Sequence, residues 1–169
     1  MAESSTKNLL VQPTFGWMRQ KLSRLIAFGF GSGLIKPAPG TWGTLLAWLL
    51  WQPVSMITSP GAMALFLLLA FGIGVWACDR VGRELGVADY SGLVWDEVVA
   101  FWVVLWLIPD TAVAQAFGFL LFRLFDILKP PPIAYFDKRF KSGLGVMWDD
   151  LVAAFYAVLV FALVSRIFG

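Results

Sequence analysis

Two pairs of adjacent carboxylates stand in the same local sequence. Gly92-Leu93-Val94-Trp95-Asp96-Glu97-Val98-Val99-Ala100 returns 53 residues later as Gly145-Val146-Met147-Trp148-Asp149-Asp150-Leu151-Val152-Ala153, a shared G-x-x-W-D-[ED]-x-V-A pattern. One pair alone has an ordinary explanation, because acids at a helix N-terminus are favoured by its dipole and Asp is a good cap. Two pairs that each run straight into apolar sequence point further. A carboxylate inside a membrane costs about 2.5 to 3.5 kcal/mol on insertion scales and is by default a functional group with a partner. Four acids brought together repel unless a divalent cation or basic side chains compensate. Asp96, Glu97, Asp149 and Asp150 are therefore candidate metal ligands and catalytic groups. With only oxygen donors and no histidine in the chain, the expected ion is Mg2+ rather than Zn2+. Consecutive helical residues lie about 100° apart, so one acid of each pair is expected to face the bundle interior.

A second constellation is Phe122-Arg123-Leu124-Phe125-Asp126-Ile127-Leu128-Lys129-Pro130-Pro131-Pro132, followed by Phe136-Asp137-Lys138. Arg123, Asp126 and Lys129 fall at i, i+3 and i+6, close to one helix face. They could hold a phosphate and a metal together, Asp126 joining the catalytic acids. Their bland counterpart is snorkelling of Arg and Lys to the membrane surface beside a structural Asp. A third element, the stretch from Gly29 to Gly43, is too broken by Gly and Pro for a regular helix and is expected to form a loop or re-entrant segment. Its Gly31, Gly33, Gly40 and Gly43 could let backbone N–H groups approach an anion closely, with Ser32 and Thr41 as further phosphate-binding candidates, although glycine-rich membrane segments more often serve close helix packing.

The elements that must position these groups are apolar. The 169 residues are 59% hydrophobic and 14% charged, and no charged residue occurs between Lys36 and Asp79. That balance is far from a soluble domain's. Spans are expected near 41–57, 61–78, 94–108, 111–127 and 150–168, with Pro53 ending or kinking the first. The uncharged stretches Val98–Ile108, Thr111–Phe122 and Leu151–Ser165 hold only 11, 12 and 15 residues, short of the roughly 20 a spanning helix wants, so their charged ends must sit at headgroup depth. Phe15, Met18, Leu22, Leu25 and Ile26 recur at helical spacing with Arg19, Lys21 and Arg24 toward the other side, which suits a retained helix lying at the interface. The architecture expected is an all-α integral membrane protein. A bundle of about five short transmembrane helices over 29–168 forms one domain with an N-terminal interfacial segment over 1–28.

In a five-span arrangement every basic residue except Arg166 falls on one side, which the positive-inside rule makes cytoplasmic. The acids follow, Asp110 excepted. Nucleic acid is excluded as a partner, since the net charge is only +2 and the basic residues are not interleaved with aromatics. Absence of histidine removes every mechanism that needs an imidazole. Cys78 cannot form an internal disulfide, and with Arg83 it is one residue short of the C-x5-R loop of cysteine phosphatases; no D-x-D pair is present either.

Five motifs in order carry a resemblance: Gly29-Phe30-Gly31-Ser32-Gly33, Pro39-Gly40-Thr41-Trp42-Gly43, Val94-Trp95-Asp96-Glu97, Phe122-Arg123 with Asp126 and Lys129-Pro130, and Gly143 to Asp150. The chain resembles the bacterial phosphatidylglycerophosphatase A family over most of its length from Gly29 to about Ala154. The resemblance implies Mg2+-dependent hydrolysis of phosphatidylglycerophosphate to phosphatidylglycerol and phosphate, at the cytoplasmic face of the bacterial inner membrane. Asp79, Cys78 and Lys36 belong to none of these motifs and stay outside the expected site. Two other classes of function compete. A transporter or ion-binding protein would want charge near the membrane midplane, and a related lipid headgroup enzyme such as a phosphatidyltransferase would share the metal and the rim. Oligomeric state is not legible.

Overall fold

A computed structural model describes residues 9–131 and 142–168. Every regular element among them is helical. Two short helices, α1 (Phe15–Met18) and α2 (Leu22–Ala27), lead into a 3-10 turn over Gly29–Leu34. Five longer helices follow: α3 (Pro39–Ser55), α4 (Pro60–Leu85), α5 (Trp95–Leu107), α6 (Ala112–Leu128) and α7 (Gly143–Phe168).

The centre of the bundle is α5, which packs against α3, α4, α6 and α7. Beyond Asp96 and Glu97 in its first turn its sequence is apolar all round, the mark of a largely enclosed helix; Trp95 and Val98 to Trp102 are all buried, and Trp106 and Leu107 at its far end are exposed. Buried indoles need hydrogen-bond partners. Trp95 Nε1 donates to the Ala70 carbonyl of α4 at 3.0 Å, and Trp102 Nε1 donates to the Ala47 carbonyl of α3 at 2.9 Å. These bonds fix α5 in both height and rotation between its neighbours.

Among the described residues, two helices, α4 and α7, are long and apolar enough to cross a membrane. The other three have 17, 13 and 17 residues, below the usual length. Leucines and phenylalanines stand outward along the bundle, Leu49, Leu68, Leu120 and Phe155 each being at least 65% exposed. An apolar face of this extent marks a surface that meets lipid or another apolar partner. The helix α3 runs two residues past Pro53 and closes at Ser55.

Antiparallel succession brings the N-termini of α3, α5 and α7 to one end with the C-termini of α4 and α6. The turn region is stitched there: Val94 N donates to the Ala27 carbonyl at 2.8 Å. Gly33 lies so close to the Gly92 carbonyl that a side chain at either position would collide. The helix expected over Phe15–Ala27 is two pieces. Phe15 and Leu22 stay exposed as an interfacial face requires, but Arg24 turns inward instead of out. Its Nε donates to Glu84 of α4 at 2.7 Å and its guanidinium lies 3.8 Å from the Trp17 ring centroid, while Lys21 reaches the same carboxylate at 2.8 Å. Helical periodicity cannot register a partner supplied by another helix.

Candidate active site

Asp96 and Glu97 occupy the first turn of α5, with Asp96 Oδ1 accepting from the Glu97 amide at 3.0 Å. Asp150 projects toward them from α7. One carboxylate oxygen from each of the three lies within 4.8 Å of the others, and Asp96 and Asp150 are buried. The shared sequence pattern suggested equivalent positions for the two acidic pairs, and they are not equivalent. The pattern opens α5, but α7 begins at Gly143, so Asp149 and Asp150 sit beyond its first turn. Both acids of the first pair enter the cluster and only Asp150 of the second does. Asp149, rotated away, accepts from Lys129 Nζ at 2.7 Å.

Arg123 of α6 completes the inner group. Its guanidinium bonds to Asp126 and stands 3.7 Å from Glu97. Buried polar atoms are nearly always paired, yet Glu97 Oε2, Asp150 Oδ2 and Arg123 Nε are buried without a hydrogen-bond partner. Two orphaned carboxylate oxygens within a three-acid cluster are the donor set of a hard divalent cation. The residues therefore fit an oxygen-ligated metal ion. No imidazole competes, the chain having no histidine.

A cavity of about 310 Å3 opens over this group, between the N-terminus of α3, the loop before α5, the end of α6 and the start of α7. Gly40 forms part of its wall. A Cβ at that position would run into Glu97 Oε1 and lie 3.0 Å from both terminal nitrogens of Arg123, so only glycine lets α3 approach the cluster. Two wall residues hold left-handed backbone conformations that cost a non-glycine residue roughly 1 to 2 kcal/mol: Ala38 (φ 58, ψ 63), which precedes α3 without a side-chain cap, and Lys129 (φ 42, ψ 59), which ends α6. Strain of this kind collects at functional sites.

Of the residues singled out by sequence, Asp96, Glu97, Asp126, Asp149, Asp150, Arg123 and Lys129 all line the cavity. Of the expected anion cradle only Gly40 does, while Gly31, Ser32, Gly33, Thr41 and Gly43 do not. The glycine turn packs instead against the loop before α5, and Ser32 Oγ donates to the Gly29 carbonyl at 2.9 Å. Asp79 is paired with Arg83 at 2.5 Å, Cys78 is buried, and neither lines the cavity. Pro132, Phe136, Asp137 and Lys138 lie outside the described residues. Ala38, Asp89 and Ser91 line the cavity without having been singled out. Ala38 and Ser91 carry no sequence signal, whereas Asp89 was legible only as one more acid on the charged side.

The model of one protein family, Phosphatidylglycerophosphatase A, matches residues 25–165. A Haemophilus influenzae protein named Phosphatidylglycerophosphatase A is 44% identical over 137 residues, covering 80% of this chain and 84% of that one. An Escherichia coli protein of the same name is 39% identical over 131 residues, covering 76% and 75%. A Bacteroides thetaiotaomicron protein named "Putative phosphatidylinositol-3-phosphatase" is 37% identical over 155 residues, covering 86% and 94%. No solved structure matches this chain.

Proposed function

The chain belongs to the phosphatidylglycerophosphatase A family, and on that premise we propose that it removes the terminal phosphate of phosphatidylglycerophosphate with the acidic cluster as its metal site. It is a phosphoric monoester hydrolase acting on a lipid. The observation that carries the chemistry is the Asp96, Glu97 and Asp150 group, the two aspartates buried, with its orphaned oxygens beside Arg123 in a cavity at the polar end of the bundle.

Asp96, Glu97 and Asp150 would hold Mg2+, the hard cation that an oxygen-only set suits. Such an ion would supply Lewis-acid charge withdrawal at the phosphoryl oxygens. Arg123 neutralises the equatorial oxygens of the group in transfer, and Asp126 and Glu97 hold its guanidinium in place for that task. Water supplies the oxygen that forms the new P–O bond as the bond to the glycerol oxygen breaks. A carboxylate of the site takes the proton from that water and passes it to the departing glycerol alkoxide, which leaves as the alcohol. Burial keeps the remaining solvent away, which strengthens each of these charge interactions.

We place the chain in the bacterial inner membrane as a single domain of five crossings, its polar end toward the cytoplasm. Among the described basic residues only Arg166 lies at the other end, which supports that orientation. The short helices are compatible with crossing because most of α5 is buried between its neighbours, with α3 and α6 flanking it. A transporter is disfavoured, since the titratable groups gather at one end of the bundle rather than along a path. The name of the Bacteroides relative supports a second substrate, phosphatidylinositol 3-phosphate. It shares with phosphatidylglycerophosphate a phosphate monoester on a polyol that a phosphodiester joins to diacylglycerol.

The test is phosphate release by the purified protein in detergent. Phosphatidylglycerophosphate, phosphatidylinositol 3-phosphate and phosphatidic acid are compared with Mg2+ and with a chelator. Release from phosphatidylglycerophosphate in Mg2+, abolished by chelation, is the expected result. Activity that survives chelation removes the metal role, and release from phosphatidylinositol 3-phosphate alone replaces the substrate.

A further inference from the structure

The cavity has two cationic tiers. Arg123 is in the inner one, its side chain 12% exposed and set against Glu97 and Asp126. Lys129 is in the outer one, at the C-cap of α6 six residues on and so about 9 Å nearer the polar end at 1.5 Å per residue, with 29% of its side chain exposed. The acids repeat the layering: Asp150 belongs to the inner cluster, while Asp149, one residue nearer the start of α7, holds Lys129. Lys129 keeps this place despite a left-handed backbone, with Pro130 behind it disfavouring a right-handed continuation. Both cations border one cavity, so one ligand can reach both.

The substrate assigned above has two phosphates of different kinds. The monoester to be cleaved is at the far end of the headgroup glycerol, and a phosphodiester ties that glycerol to the diacyl anchor. For the monoester to enter the buried inner tier from the membrane surface, the phosphodiester must trail behind it at the level of the helix ends. A phosphodiester carries a single negative charge, for which one ammonium point charge is the matching partner.

Resting on the functional reading above, we propose that Lys129, oriented by Asp149, is the specificity-determining contact for the phosphodiester of the headgroup, and that Arg123 serves the monoester in transfer. Phosphatidic acid carries a monoester attached directly to diacylglycerol, with no phosphodiester to offer. Lys129 thereby sets the preference for the longer headgroup.

The experiment measures kcat/KM for phosphatidylglycerophosphate and for phosphatidic acid on the same preparation of each variant, so that any loss of folded protein cancels in the ratio. Wild type should prefer phosphatidylglycerophosphate. Lys129→Met should lower that preference about tenfold or more, the scale of one charge-assisted hydrogen bond, chiefly by raising KM for the longer headgroup. Lys129→Arg should keep most of the preference, and Arg123→Gln should lower both substrates alike. Because Lys129→Met leaves Asp149 buried without this cation, the double variant with Asp149→Asn is measured beside it and should show the same reduced ratio. A ratio unchanged in both Met variants, or a wild type that does not prefer the phosphodiester-bearing lipid, overturns the assignment while leaving the hydrolase itself standing. A wild type that releases phosphate from neither lipid removes the functional reading and this inference with it.

Discussion

Replacing Asp150 with Asn separates a metal cluster from an inert group of buried acids. The two side chains are nearly isosteric, so the change deletes a charge and little volume. Asp150 is 4% exposed, and its Oδ2 has no hydrogen-bond partner. With ligand oxygens of the three acids within 4.8 Å of one another, each ionised pair repels by about 3.5 kcal/mol at an effective dielectric near 20. Asp150→Asn removes two of the three pairs. Protein stripped by a chelator should therefore be at least as stable in the variant as in wild type, the reverse of the usual result of a core substitution. Added Mg2+ should reverse the ranking. An ion at 100 times its Kd stabilises wild type by about 2.7 kcal/mol, and the variant, short of one ligand, should gain a small part of that. Phosphate release should fall more than about 100-fold, beyond the loss usual for a group that only supports a metal ligand. Thermal unfolding in detergent, followed through the protein's nine tryptophans with and without Mg2+, reads the stability arm. A variant that loses stability in chelator yet gains as much from Mg2+ as wild type would refute the metal assignment.

Gly40→Ala should overpack the contact with Glu97 and Arg123, at about 1 to 3 kcal/mol. It should cut phosphate release at least tenfold while circular dichroism stays that of a folded helical protein. Gly61→Ala is its control, because a Cβ there meets nothing within 4 Å. Glu84→Gln should weaken the hold of α4 on Arg24 and Lys21, costing about 1 to 3 kcal/mol given its partial exposure. Limited proteolysis should then cut the N-terminal segment ahead of the bundle. Asp110→Asn, at the opposite end where Asp110 accepts from Gln115 at 2.6 Å, should change phosphate release by no more than about twofold, as for substitutions remote from a site.

Hydropathy located the longer helices closely where charge and helix end coincide. The span expected near 94–108 is α5 at Trp95–Leu107, and that near 111–127 is α6 at Ala112–Leu128. It failed where a helix continues past its apolar stretch. The segment expected to stop at Cys78 runs on to Leu85, because Asp79 and Arg83 pair along its side and Glu84 is held by Arg24 and Lys21. Likewise α7 starts at Gly143, ahead of the acids expected to open it. In the site, Asp96, Glu97, Asp150 and Arg123 were legible because charge beside apolar sequence is costly and demands a reason. The glycine turn was read for its backbone amides, but its glycines serve contact between Gly33 and Gly92, which no local pattern distinguishes from a cradle.

By itself the sequence determined that this chain is helical and apolar, that its titratable groups crowd toward one end, and that, with no histidine present, an ion held by its paired acids would meet carboxylate oxygen. Those properties belong to residue types and their spacing. The tertiary structure decided which acids meet: α7 is rotated so that Asp150 faces Asp96 and Glu97 while Asp149 turns to Lys129. It also decided that Gly40 and Ala38 reach the same cavity from another helix. Rotation and height of one helix against another are set by packing, here by Trp95 and Trp102 bonding to the backbones of α4 and α3, and such long-range contacts leave no period in the chain.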